Sequence, residues 1–126
     1  MAVEHSGAVL ETNADRNADL SNVIYLQLHT VLDDWSLFAR TPIQAVFIDA
    51  AHDYNSVLSD LKRALAMPSV STIVLDDYGA RVGVHRAVDE IVASGAAKVR
   101  RFIGRSPPWS YPGHEVQDWE GVVLDP

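Results

Sequence analysis

The stretch Ala45-Val46-Phe47-Ile48-Asp49-Ala50-Ala51-His52-Asp53-Tyr54 and its later echo Thr72-Ile73-Val74-Leu75-Asp76-Asp77-Tyr78 decide how the rest of the chain is read. Each begins as a short apolar run and ends on a carboxylate. Runs of this length without polar alternation suit strands covered on both faces, as in a parallel α/β sheet. Between them, Tyr54 to Ala66 carries Val57, Leu58, Leu61, Ala64 and Leu65 at helical spacing. Asp53 or Asn55 can cap that helix, and Pro68 punctuates its end. In parallel sheets ligands sit beyond the carboxyl ends of the strands. Asp49, His52, Asp76 and Asp77 are therefore expected to meet at one sheet edge.

Working outward, Tyr78 to Gly83 reads as a loop, followed by a helix with Val84, Ala87, Val88, Ile91 and Val92 on one face and a stop at Ser94-Gly95. Val99 to Ile103 reads as a strand. A long connection with Pro107, Pro108, Trp109, Pro112 and Gly113 leads to Gly121-Val122-Val123-Leu124. No helix pattern separates these last two strands, so they are expected to pair antiparallel. On the N-terminal side, Asn22 to Leu26 has the β-branched and aromatic content of a strand. Val31 to Phe38 is expected to form a short helix, with Asp33 and Asp34 favourable in its first turn. Gly7 to Glu11 reads as a short strand and Thr12 to Asp19 as turn-like, so residues 1 to 20 are expected to form a loosely ordered arm on a single domain.

The 126 residues suffice for one domain with a core. A net charge of -7 without a basic run excludes nucleic acid and an anionic membrane surface as partners, since phosphate binding needs clustered Lys and Arg. Lys98, Arg100, Arg101 and Arg105 read as a solvated strand face. No apolar segment is long enough to span a bilayer, and no signal-peptide pattern opens the chain. Cysteine is absent, which removes disulfides, thiolate ligands and thiol nucleophiles and fits the cytoplasm.

Strand-Asp-x-x-His-x-Tyr, amphipathic helix, strand-Asp-Asp-Tyr, loop, helix and a terminal antiparallel pair together resemble the second half of a class I methyltransferase. Small-molecule O-methyltransferases of the macrocin and cephalosporin-biosynthesis type are the most similar, over roughly residues 22 to 126. The resemblance implies an α/β, Rossmann-like methyltransferase sheet with helices on both faces, shortened at its N-terminal side. It implies S-adenosylmethionine as cofactor, a magnesium-like divalent ion and a small hydroxylated substrate. By the same resemblance, Asp49, Asp76 and Asp77 would be the metal ligands and His52 the general base. Glu11, in Ala8-Val9-Leu10-Glu11, would be the strand-end acid that holds the cofactor ribose, and His29 takes a place where relatives contact adenine. The chemistry is coherent: carboxylates are hard oxygen ligands, a bound metal lowers the pKa of a substrate hydroxyl, and imidazole titrates near neutrality.

The family's glycine-rich turn after its first strand has no counterpart here: no G-x-G occurs, and only ten residues separate Glu11 from Asn22. Three explanations remain open: a fragment, a shortened relative, or a protein that completes its sheet with a second chain. An open sheet edge would invite pairing, so a homodimer is the expected partner. The alternative function is a catalytically silent methyltransferase-like module for binding or oligomerisation. Local alternatives remain beside each role. Asp49 could cap a helix, His52 could bond backbone, and His29 could be a surface residue. One of Asp76 and Asp77 could face the cleft while the other holds the following loop. Tyr54 and Tyr78 could line a pocket or pack over the sheet edge, and His85 and Arg86 read as solvated. Trp109, Tyr111, His114 and Trp119 could cover a substrate or form a dimer contact.

Overall fold

A computed structural model describes residues 1–4, 6–29, 32–38, 40–104 and 119–126, Leu37 by its backbone alone. The chain divides into two compact units, Met1–Asp34 and Trp35–Pro126. No helix among the described residues is long and apolar enough to cross a membrane.

In the first unit, strands β1 (Ala2–Glu4) and β2 (Tyr25–Gln27) pair in parallel, with Ala2 beside Tyr25 and Glu4 beside Gln27. Helix α1 (Gly7–Arg16) crosses between them. The strand expected at Gly7 to Glu11 and residues 12–16 of the turn-like run are thus a helix, while residues 17–19 are turn as expected. Ala8-Val9-Leu10 looks apolar enough for a strand, but Ala, Leu and Glu are strong helix formers. The half-buried positions Gly7, Leu10 and Ala14 recur at helical spacing. The Thr12 hydroxyl donates back to the Ala8 carbonyl at 2.9 Å, and the Tyr25 hydroxyl ties β2 to the Asn13 carbonyl at 3.3 Å. Glu11 therefore ends no strand; it lies exposed on α1.

Of the helix expected over Val31 to Phe38, Val31 lies outside the described residues and residues 32–35 are not helical. The Asp33 carboxylate accepts the His29 amide at 2.7 Å, a local side-chain bond that competes with helix. Only a single 3-10 turn, Ser36–Phe38, follows. It opens the second unit by setting Trp35 edge-on to the buried Phe38 ring, with Arg63 over the Trp35 face.

The second unit contains β3 (Ala45–Ile48), α2 (Tyr54–Leu65), β4 (Thr72–Leu75), α3 (Val82–Ala93), β5 (Lys98–Ile103) and β6 (Gly121–Asp125). These strands make one mixed sheet in the order β3-β4-β6-β5. β3 and β4 are parallel, and β6 runs antiparallel to both of its neighbours. The antiparallel β5–β6 pair matches the sequence expectation, and the chain as described is an α/β protein. The interior place of β6 follows from its composition. Val122, Val123 and Leu124 are all buried, while β5 presents Lys98, Arg100 and Arg101 to solvent. Charged side chains on an edge strand discourage further pairing. Lys98, Arg100 and Arg101 are thus exposed on a strand as expected, and Arg105 lies outside the described residues.

Helix α2 begins on the Asp53 cap, whose carboxylate accepts the Ser56 amide at 3.1 Å. It buries Val57, Leu61 and Ala64. Helix α3 buries Val84, Ala87, Val88 and Ile91 and stops at Gly95, whose φ of +77° suits glycine. The two helices pack against each other. Both crossovers travel the same way along the sheet, and right-handed connections then put both helices on one face. The register agrees. Ile48 pairs with Leu75 and Leu75 with Val122, Ile73 pairs with Leu124, and all five are buried. Phe47 points to the opposite face and is 64% exposed. Among the described residues of this unit, α2 and α3 are the only α-helices.

Candidate metal centre

The carboxyl ends of β3 and β4 stand side by side, because Ile48 pairs with Leu75 at the last rung of the parallel ladder. Asp49 and Asp76 each follow by one residue. The Asp76 amide still donates to the Ile48 carbonyl at 3.2 Å, so the ladder runs one step past β4. Asp77 then takes a φ of +56°, the one non-glycine residue with positive φ among those described. Asp tolerates this left-handed region better than most residues. The Asp77 carbonyl starts a tight turn, accepting the Ala80 and Arg81 amides at 3.1 and 2.9 Å.

The turn brings the Asp77 side chain to His52 and Asp49. His52 Nε2 lies 3.1 Å from Asp77 Oδ2 and 3.7 Å from Asp49 Oδ1. One ligand atom from each of Asp49, His52 and Asp77 falls within 4.8 Å of the others. Asp76, expected as a third carboxylate ligand, is not in this cluster; His52 takes the third position. Two carboxylates this close repel each other unless a cation or proton intervenes. Exposure falls from 48% at Asp49 through 35% at His52 to 24% at Asp77, so the cluster opens to solvent on the Asp49 side. Arg81 reaches the same carboxylate, its Nε 3.5 Å from Asp77 Oδ2.

Helix α3 holds the His52 turn in place through residues that sequence reasoning passed over. Gly83 lies so close to residues 52–54 that an added Cβ would stand 2.6 Å from the Tyr54 nitrogen and 2.9 Å from the Asp53 carbonyl carbon. It would fall closer still to the His52 carbonyl oxygen. Further along the same helix, Arg86 sits over the Tyr54 ring at 4.8 Å, and the Tyr54 hydroxyl bonds to Glu90. That hydrogen bond, more than burial, pushes the Tyr54 phenol up from its usual pKa. Arg86 is exposed, as expected, and also stacks on Tyr54. The signal in the sequence was the 83, 86, 90 spacing, one helical stripe facing the turn.

Of the other expected site residues, Glu11 and His29 belong to the first unit. His29 Nδ1 accepts the Leu32 amide at 3.3 Å. In the first unit the acid that ends a strand is Glu4, whose Oε1 accepts the Ser6 amide at 2.9 Å. Sequence reading missed it because β1 is only three residues long. Tyr78 is buried: its hydroxyl donates to Asp89 at 3.1 Å and its ring stacks on His85 at 4.6 Å. His85 in turn pairs with Asp89 at 3.1 Å. Phe102 continues the stack, and Trp119 lies over Phe102 with centroids 5.7 Å apart. Trp109, Tyr111 and His114 lie outside the described residues.

No family model matches the chain, and no curated protein matches it.

The donor set itself can be tested against a metal. Two bonds of about 2.1 Å place ligand atoms no more than about 4.2 Å apart. The 3.1 and 3.7 Å separations to His52 Nε2 fall inside that limit, and the Asp49 to Asp77 separation is bounded at 4.8 Å. His52 Nε2 is shielded from solvent and makes no hydrogen bond among the described residues. A solvent-shielded ring nitrogen within ion-pair distance of two carboxylates fits a cation.

Proposed function

We propose that this chain is a methyltransferase-like α/β protein whose Asp49–His52–Asp77 cluster holds a divalent ion for O-methylation of a small hydroxylated molecule. The observation that carries the proposal is the convergence of Asp49 and Asp77, from the ends of adjacent parallel strands, on His52 Nε2. The strand order β3-β4-β6-β5, with one antiparallel strand inserted beside the edge, supports the resemblance to the second half of the class I methyltransferase sheet.

When bound, the ion would lower the pKa of a substrate hydroxyl coordinated beside it. Asp49 and Asp77 would fix the ion, and the exposed Asp49 side leaves room for substrate oxygens or water. The His52 imidazole can either accept the hydroxyl proton or bind the ion, but not both through Nε2. For S-adenosylmethionine the residues fit only in part. Glu4 offers a strand-end carboxylate of the kind that holds ribose hydroxyls, but no glycine-rich turn among residues 1–126 would cradle the methionine end. No step is therefore assigned to the cofactor.

A second reading, a silent module that binds or oligomerises, is favoured by one observation. Among the described residues β3 pairs only with β4, Phe47 on it is 64% exposed, and residues 45–48 carry no charge. Such an edge lacks the devices that discourage strand addition.

Thermal unfolding with S-adenosylhomocysteine, with and without a divalent ion, separates the two. A ligand at about a hundred times its Kd should add roughly 2.7 kcal/mol. Stabilisation by the nucleoside supports methyl transfer, and stabilisation by the ion alone supports the metal centre without it. If neither stabilises, the catalytic reading fails. Self-association that a Phe47→Lys substitution abolishes would then favour the second.

A further inference from the structure

We infer that His52 is a ligand of the ion rather than a general base, and that the centre prefers a first-row transition ion such as Zn²⁺ over Mg²⁺. The inference rests on the metal centre proposed above and specifies its chemistry. Three carboxylates would make a hard, all-oxygen set suited to magnesium, which keeps its waters and favours oxygen. The geometry offers a different set. Asp76 is outside the cluster, and an imidazole nitrogen takes its place.

Imidazole suits zinc and iron better than magnesium, and a mixed nitrogen and oxygen set shifts preference the same way. The orientation of His52 makes the point independently. A base would leave the reactive nitrogen free to meet substrate. Here Nε2 is turned inward, shielded from solvent and without a hydrogen bond, between the carboxylates of Asp49 and Asp77. The Gly83 contact packs α3 directly against the backbone of that turn.

Isothermal titration of the full chain with Zn²⁺ and with Mg²⁺ tests the inference, alongside His52→Gln, Asp77→Asn and Asp76→Asn. Zinc should bind at least about a hundredfold tighter than magnesium. His52→Gln should weaken zinc at least about tenfold while changing magnesium less than about twofold. Asp77→Asn should weaken both, and Asp76→Asn neither. Asparagine tolerates the positive φ at residue 77 about as well as aspartate, so the fold survives that change. Imidazole ¹⁵N spectra give a readout independent of affinity: zinc should shift the His52 Nε2 resonance, identified by its loss in His52→Gln.

Three results overturn the inference. If His52→Gln binds zinc as well as the parent while Asp77→Asn does not, the carboxylate centre stands and His52 is not its ligand. If Asp77→Asn binds zinc unchanged, zinc sits elsewhere, for example at His85 and Asp89. If neither ion binds the parent chain, the metal centre and the inference fall together.

Discussion

Replacing Gly83 by alanine puts two opposite effects in direct competition, and the sign of the outcome reports whether the clamp on His52 exists. Gly83 is the second residue of α3. Inside a helix, Gly→Ala should stabilise by up to about 1 kcal/mol through backbone entropy alone. The close approach opposes this. The new Cβ would meet three backbone atoms of residues 52–54, two of them at 2.6 and 2.9 Å, where no side chain can rotate out of the way. Helix or turn must then retreat by about 0.5 Å or more, and overpacking of this kind costs about 1–3 kcal/mol. The net expectation is a destabilisation of roughly 0–2 kcal/mol, accompanied by displacement of His52 from Asp77. Urea denaturation measures the first effect and zinc titration the second. A variant about 1 kcal/mol more stable than the parent, with unchanged zinc affinity, would refute the packing of α3 on the His52 turn.

Three further outcomes follow from the same geometry. Leu61→Ala empties a position with no solvent exposure at the α2–sheet interface and should cost about 2–5 kcal/mol in chemical denaturation; a loss under about 1 kcal/mol would place the core elsewhere. The Asp53 carboxyl is held below its reference value of 3.8, first by its hydrogen bond with the Ser56 side chain and then by the Ser56 amide. Its contribution is therefore present above that reference and lost as pH falls through the lower folded value, so Asp53→Asn should flatten the acid limb of a stability-against-pH curve. Burial first, and then the Asp89 charge and hydrogen bond, push the Tyr78 phenol up to about 12. The unfolded chain ionises near 10, so stability should fall between about pH 10 and pH 12. Tyr78→Phe should weaken that decline and remove the latest step from a phenolate absorbance titration.

The sheet was legible where composition and position agreed. Val46, Ile48, Ile73 and Leu75 sit in unbroken apolar runs, and each run ends where a carboxylate has to reach solvent. The α2 helix was equally plain, because Val57, Leu61 and Ala64 repeat on one face behind an Asp53 cap. The first unit was not legible, and the reason is physical. Of the half-buried positions Gly7, Leu10 and Ala14, only Leu10 is a large apolar residue, so α1 carries almost no amphipathic signal. Its neighbour β1 is three residues long, too short to alternate visibly. The exposure of Phe47 was hidden for a different reason. Nothing in Ala45-Val46-Phe47-Ile48 says which strands will flank it or which face the helices will cover.

The metal centre shows where local sequence stops and backbone geometry takes over. Asp49, His52, Asp76 and Asp77 were all visible as strand-end residues, and the structure does gather three of them. The carboxylate that joins from the second strand is Asp77, the residue with the positive φ. Had the strand continued, Asp76 and Asp77 would have projected to opposite faces. Instead the ladder ends at the Asp76 amide, Asp77 takes a positive φ, and its carboxylate lies 3.1 Å from His52 Nε2. No residue pattern announces that turn, since Asp-Asp-Tyr-Gly-Ala is compatible with either aspartate facing the cleft. The consequence is chemical. A hard, three-carboxylate site of the kind the resemblance implies gives way to two carboxylates and an imidazole, so the backbone at residue 77 helps decide which ion the site prefers.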